Sequence, residues 1–372
     1  MPQLLSVVDR NQWIAELATL STSVNNIVHR KPLPLVSYTD GSTGEVTEID
    51  AFSLANDDDH NRAFARCFDT LSEKGVEGAT LLKYLTDLTS GRNTYGTASE
   101  LLVYLWLMDQ KVPFDIQIPV AGTHVLNPQG SDLDGKLIAP SDVFFDVKGF
   151  GFQEALVDRL KKKLETDIPG KWVAIEGCWD VSAEDFQELL QRKHYDQLLA
   201  DLAEKKAVTR GLLQFIVRDR RAVQVSHRYS DPYQFAQENS EYVFRFAKQF
   251  CRREPFVLIL AHHPWFGGLS LNSDFAGSTS TFTRAFARRT FIQHLRDTSS
   301  VYDVTKGEAS KLISGIAFLN ISQIPGTSDR GRTLRLFLNP NATNPVSGLT
   351  VDMLRNHDPM SVELDSFAFD NY

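Results

Sequence analysis

The chain has 372 residues, 42% hydrophobic and 23% charged, which predicts two or three units with full cores and excludes a disordered, collagen-like or coiled-coil protein. Its longest apolar run, residues 101–108, falls far short of the ~20 residues of a membrane span. The net charge of −8 argues at first sight against a polyanion partner, but residues 1–60 carry −6, 340–372 carry −4 and 61–339 carry +2, so the body can still present a basic face.

The N-terminus lacks the basic start and apolar stretch of a signal peptide. Cys67, Cys178 and Cys251 lie too far apart to read as a disulfide frame or a zinc site. A protein of a reducing cytoplasm, with no membrane partner, is expected.

Residues 1–90 read as a mostly helical N-terminal region, with helices over 62–73 and 78–89 and loop signals at 40–44 and 56–59. The signals sharpen from Gly91. Residues 97–109 form a helix apolar on nearly every face, hence a buried one. Residues 114–120 alternate as a strand. Residues 132–138 and 142–148 read as two strands joined by Ala139-Pro140-Ser141. A helix over 152–164 bears Arg159, Lys161, Lys162 and Lys163, and a strand follows at 171–177. Residues 91–180 therefore read as one core unit, helix, three strands, helix, strand. An α/β extension over 181–345 is expected to pack on it, with helices at 183–192, 233–250 and 281–295. Its expected strands lie at 212–217, 222–225, 256–261, 315–321 and 333–338. Residues 346–372 form an acidic tail whose Leu364, Phe367, Phe369 and Tyr372 suit a docked edge or a partner-binding peptide. The fold class is α/β, with no internal repeat.

The hairpin carries the chemistry. With its loop at 139–141, paired residue numbers sum to 280, which sets Asp134 opposite Asp146 and Asp132 opposite Lys148. All four then share one face. Carboxylates on opposed residues, whose Cβ atoms stand ~5 Å apart, repel unless a cation or a proton lies between them. Such oxygen ligands suit a hard divalent ion such as Mg²⁺, with Mn²⁺ as a substitute. Lys148 shares the face of Asp146 and can hold a water, and Glu100 is the only charge between Arg92 and Asp109. Singly, each residue has a plainer use. Thr97-Ala98-Ser99-Glu100 fits a capping box, Asp132 and Asp134 beside Gly135 suit a turn, and Asp146 with Lys148 suits a surface pair. Their coincidence within some fifty residues points to a site.

These residues resemble the PD-(D/E)xK nuclease superfamily, whose restriction-endonuclease-like core runs helix, three strands, helix, strand. The likeness covers residues 97–177 and rests on Glu100, Asp134 and Asp146-Val147-Lys148. No proline precedes Asp134, which leaves Asp132 or Asp134 as the ligand; the register favours Asp134. The resemblance implies that Asp134, Asp146 and Glu100 hold Mg²⁺, that Glu100, Asp134, Asp146 and Lys148 are catalytic, and that DNA, or alternatively RNA, is cleaved. It also implies a setting in bacterial restriction or phage defence, with a homodimer or a defence-system protein as partner. The rival reading is a non-catalytic nucleic-acid-binding or assembly subunit of the same fold.

Other signals are weaker. Gly149-Phe150-Gly151 lacks the third glycine of a dinucleotide-binding turn, where Glu154 stands, and no phosphate-binding Gly-Lys-Ser/Thr loop exists. His262 and His263 are adjacent on a strand and point to opposite faces. Arg218, Arg220, Arg221, Arg284, Arg288 and Arg289 are candidate phosphate contacts, although solvated helix faces carry the same charges.

Overall fold

The structure is a computed structural model, in which residues 7–30, 54–89, 94–149, 154–177, 189, 192–211, 213–219, 233, 236–237, 239–262, 276–320 and 334–357 are described. The chain forms two compact units, each discontinuous in sequence: residues 1–98, 151–228 and 263–270 in the first, and 99–150, 229–262 and 271–372 in the second. The expected segments 1–90 and 346–372 each fall within one unit, whereas 91–180 and 181–345 are divided between the two.

In the first unit, α1 (Val7–Leu20), α2 (Thr22–Arg30), α3 (Asp58–Glu73) and α4 (Gly78–Leu88) pack around Trp13, Phe64, Phe68 and Leu85. Trp13 Nε1 donates to Asn61 Oδ1 at 2.7 Å, which satisfies two buried polar groups at once. Asp57 caps α3 by accepting from the His60 amide. A second cluster joins α6 (Glu154–Asp167) and α7 (Arg192–Lys205) to β4 (Trp172–Gly177), β5 (Ala207–Arg210) and β6 (Leu213–Arg218). Leu164, Val173, Leu198 and Phe215 lie at its centre.

The second unit is built on α5 (Thr94–Asp109, from Ser99), β1 (Phe114–Val120), β2 (Ser131–Leu137) and β3 (Val143–Gly149). It continues through a 3₁₀ segment (Tyr242–Gln249), β7 (Phe256–His262), α8 (Ala276–Ile292), a 3₁₀ turn (Gln293–Arg296) and a small hairpin of β8 (Ser300–Val301) and β9 (Val304–Thr305). Then follow α9 (Lys306–Leu312), β10 (Gly315–Asn320), β11 (Leu334–Leu338) and α10 (Gly348–His357). Its mixed sheet of six strands runs β1-β2-β3-β7-β10-β11, parallel at β3–β7 and β7–β10 and antiparallel elsewhere.

Helices cover both faces. Val103, Trp106 and Leu107 of α5 stand over Phe145, Ile259 and Leu319 on one side. On the other, Phe282 and Phe286 of α8 meet the Phe318 ring edge-on. Sheet strands buried on both faces read as continuous apolar runs, as Phe-Val-Leu-Ile-Leu-Ala in β7 does.

The expected core needs one correction. The strand at 172–177 does not join the main sheet; β4 pairs with β6 in a separate three-stranded antiparallel sheet of order β4-β6-β5. The parallel neighbour of β3 is β7, more than a hundred residues on. Parallel pairing demands a crossover but sets no upper limit on its length, and periodicity identifies a strand without naming its sheet. Residues 242–249 also differ, forming a 3₁₀ helix inside the α-helix expected over 233–250. Their aromatic and β-branched run has low helix propensity, and the C-terminal end is tied to residues 126 and 127 by backbone hydrogen bonds to the Phe250 and Lys248 carbonyls. The expected helix over 183–192, apart from 189 and 192, and the strand over 222–225 lie outside the described residues, as do Arg220, Arg221, His263 and residues 361–372. Helix α7 has no counterpart among the expected elements.

Candidate metal centre

The site begins with the hairpin register. Gly135 pairs with Phe145, Lys136 with Phe144 and Leu137 with Val143, so the rungs sum to 280 as the loop placement requires. The ladder stops there. Beyond it β2 stays with β1 as far as Ser131, while β3 stays with β7 as far as Gly149. Asp134 and Asp146 therefore sit at the first open rung of a fork. Asp134 Oδ2 accepts from the Val147 amide at 2.7 Å, which locks its carboxylate beside Asp146.

Asp146 has no exposed surface. Its Oδ1 accepts from Gln249 Nε2 at 2.9 Å. Its Oδ2 lies 2.6 Å from Lys148 Nζ as a buried ion pair. Burial first, and the Asp134 charge second, push the Asp146 carboxyl well above the usual carboxylate range, against the opposing pull of Lys148. Burial alone would lower Lys148, but the charges of Asp146, Asp134 and Glu100 outweigh it and hold the ammonium above its ordinary value. The rise of Lys148, and the part of the Asp146 rise that comes from Asp134, reflect an excess of negative charge. Three carboxylates face one ammonium, and a divalent cation would neutralise the difference. The excess of carboxylate over ammonium charge around buried Asp146 and the all-oxygen donor set fit Mg²⁺ or Mn²⁺.

Glu100 stands within the second turn of α5, because the helix begins at Thr94 rather than Thr97. It is therefore not a helix-end cap. One turn on, Tyr104 is fully buried, stacks on Phe114 and donates its hydroxyl to the Asp134 carbonyl at 2.8 Å. That bond ties α5 to β2 next to the site. Asp132, the alternative ligand, is exposed and pairs with Pro119 of β1. The structure brings together Asp134, Asp146, Lys148 and the charge of Glu100, and leaves Asp132 aside.

Three residues of the 3₁₀ segment complete the surroundings. Besides Gln249, Phe246 sets its ring 5.6 Å from Lys148 Nζ, and the Tyr242 hydroxyl donates to the Gly149 carbonyl at 3.1 Å. No local signal could have found them, since Gln249 lies 103 positions from Asp146.

The arginine candidates divide. Arg218 lies in β6 of the first unit, paired with Trp172. Arg284, Arg288 and Arg289 are half-buried on α8, with interactions of their own, and do not form a solvated face. The helix of Lys161 and Lys163 is also in the first unit, where Lys163 pairs with Asp167 and lies over the Tyr195 ring.

A second group, Glu241, His294 and Asp297, brings ligand atoms within 4.8 Å of one another. Lys306 already supplies a cation there, with Nζ 3.0 Å from Glu241 Oε1 and 3.4 Å from Asp297 Oδ2. That group is a satisfied ion-pair network. No protein-family model matches the chain, and no curated protein and no solved structure matches it either.

Proposed function

We propose that this chain is a divalent-metal-dependent nuclease that hydrolyses phosphodiester bonds of DNA. The observation that carries the reading is Asp146, a fully buried carboxylate set beside Asp134, with one lysine, Lys148, against the negative charge of both aspartates and Glu100. Burying two neighbouring like charges costs stability unless something compensates them. A scaffold has no use for that arrangement.

The order helix, three strands and a further strand parallel to the third supports the PD-(D/E)xK resemblance, with β7 in the place expected of the strand at 172–177. In this reading Asp134 and Asp146, with a main-chain carbonyl near Val147, hold Mg²⁺ or Mn²⁺, and Glu100 completes the shell or orients a ligating water. The ion supplies stabilisation of the charge that develops on a phosphate under in-line attack. Lys148, kept as an ammonium by the three carboxylates, positions the attacking water. Gln249 and the Val147 amide keep the two aspartates in place. Restriction or phage defence, in the cytoplasm, is the setting that goes with such an enzyme.

The test incubates the purified protein with plasmid, single-stranded DNA and RNA, with and without Mg²⁺ or Mn²⁺. Metal-dependent cleavage of DNA is expected. Asp146→Asn should abolish it, and Lys148→Ala should slow it by ~10²-fold. Cleavage of RNA alone would reassign the substrate. Variants that cut at the wild-type rate, or a folded protein that cuts nothing, would leave the chain as a binding or assembly subunit.

A further inference from the structure

Gln249 is a neutral side chain that touches the acidic pair through a hydrogen bond, and its placement is over-determined. On one side of it, the Lys248 carbonyl accepts from the Asn127 amide at 3.1 Å and from the Ser131 hydroxyl at 3.3 Å. On the other, the Phe250 carbonyl accepts from the Leu126 amide at 3.1 Å. The 3₁₀ segment is thus clamped along the β2 side of the fork, and Gln249, 7% exposed, is delivered to Asp146 Oδ1 at 2.9 Å. A carboxylate that binds a cation has no proton to offer, so the amide nitrogen is the atom that faces it.

The other end of the amide is unusual. Gln249 Oε1 is buried with no hydrogen-bond partner. Leaving a buried acceptor unsatisfied is a penalty that leucine or methionine at the same place would avoid. A packing role alone does not require glutamine. The single bond to Asp146 does.

That bond has a consequence for ion choice. With Oδ1 held by Gln249, the Asp146 oxygen turned to a cation is Oδ2, on the side of the Lys148 ammonium. Mg²⁺ demands a small octahedral shell and takes carboxylates one oxygen at a time, whereas Ca²⁺ accepts larger, irregular shells and readily takes both oxygens. Because the donor is neutral, it fixes the carboxylate without cancelling its charge, as a lysine or arginine would. We propose that Gln249 is a positioning residue that holds Asp146 to one metal-facing oxygen and so sets the preference of the site for Mg²⁺ and Mn²⁺ over Ca²⁺. The inference rests on the metal-dependent reading above.

The experiment is isothermal titration of the metal-stripped full chain with Mg²⁺, Mn²⁺ and Ca²⁺, without nucleic acid, on the wild type, Gln249→Leu and Gln249→Met. The wild type should bind Mg²⁺ and Mn²⁺ more tightly than Ca²⁺. In both variants Mg²⁺ affinity should fall about tenfold, the usual effect of losing a partner behind a ligand, while Ca²⁺ affinity holds or rises. Circular dichroism melts establish that each variant is folded. A wild type that prefers Ca²⁺ overturns the inference even if both variants unfold, and so does a folded variant with the wild-type Mg²⁺-to-Ca²⁺ ratio. A wild type that binds none of the three ions overturns the metal-dependent reading and this inference with it. Binding with an unchanged ratio overturns the inference alone.

Discussion

Asp134 is pinned by the Val147 amide against a neighbour of its own charge that has no access to solvent. With the Lys148 ammonium set against three carboxylates, the arrangement keeps an excess of negative charge. Asn at position 134 keeps an oxygen for the Val147 amide and removes the repulsion. Asp134→Asn should therefore raise the melting temperature in chelator by about 2 °C, on the order of 1 kcal/mol, and Mn²⁺ should no longer raise it further. Melts in EDTA and then in Mn²⁺ decide this. A lower melting temperature in EDTA would mean that the hydrogen bond to a full charge outweighs the repulsion. Lys148 is the reciprocal case, since its ammonium is the internal counterion of three carboxylates. Lys148→Met should melt below the wild type in EDTA and gain more from Mn²⁺. Equal gains in the two proteins would show that the lysine does not offset the carboxylates.

The fork between β2 and β3 depends on how closely the two strands approach at its last rung. A Cβ at Gly135 would meet Phe145 Cζ at 2.2 Å and the Asp115 carbonyl oxygen at 2.7 Å. Gly135→Ala must therefore displace the ring or the strand, at about 1–3 kcal/mol, and moves Asp134 with it. Urea unfolding should show that loss together with weakened Mn²⁺ binding. Gly78→Ala is the control, because a Cβ at that position would meet nothing within 4 Å. If Gly135→Ala matches that control, the close approach is not what fixes the fork. Around α9 the relevant group is Asp297, whose carboxyl is held far below the usual range by the Ser299 hydroxyl and amide, with help from Lys306. A lowered folded pKa stabilises the protein above the unfolded value of ~3.9 and loses that stabilisation as pH falls through the folded value. Asp297→Asn should therefore be less stable than the wild type near pH 6 and equal to it in strong acid. A difference that persists once pH has fallen past the folded value would assign the loss to packing instead. These elements also show where sequence reading succeeds. The strands at 114–120, 131–137 and 143–149 lie within a residue of their expected bounds, because alternation and a three-residue loop fix both period and register. Helix α7 escaped because its apolar stripe, Tyr195, Leu198 and Leu202, is embedded in charges. Gln249 escaped because tertiary contact alone brings it to Asp146.

At the scale of the whole molecule the question is how a chain of net charge −8 would approach a polyanion. The acidic residues at 31–53 and 358–372 lie outside the described residues. The 3₁₀ segment that carries Gln249 also exposes Arg245 and Lys248, while Lys148 is only partly covered. The same eight residues thus combine a buried face that serves the carboxylates with an exposed basic face. Arg284 and Arg288 are half-buried on α8, so under the proposed nuclease reading the more exposed 3₁₀ segment is the expected phosphate contact. Each phosphate contact on duplex DNA contributes a log–log salt slope of roughly −0.9 through counterion release. Arg245→Gln with Lys248→Gln, made in the non-cleaving Asp146→Asn background with Mg²⁺ present, should flatten the slope by about two units and weaken binding alike for all sequences. Binding measured by fluorescence anisotropy between 50 and 200 mM salt reads both quantities. The same double change at Arg284 and Arg288 should shift the slope by less than one unit. A slope that responds to α8 and not to the 3₁₀ segment would move the nucleic-acid surface to the helix.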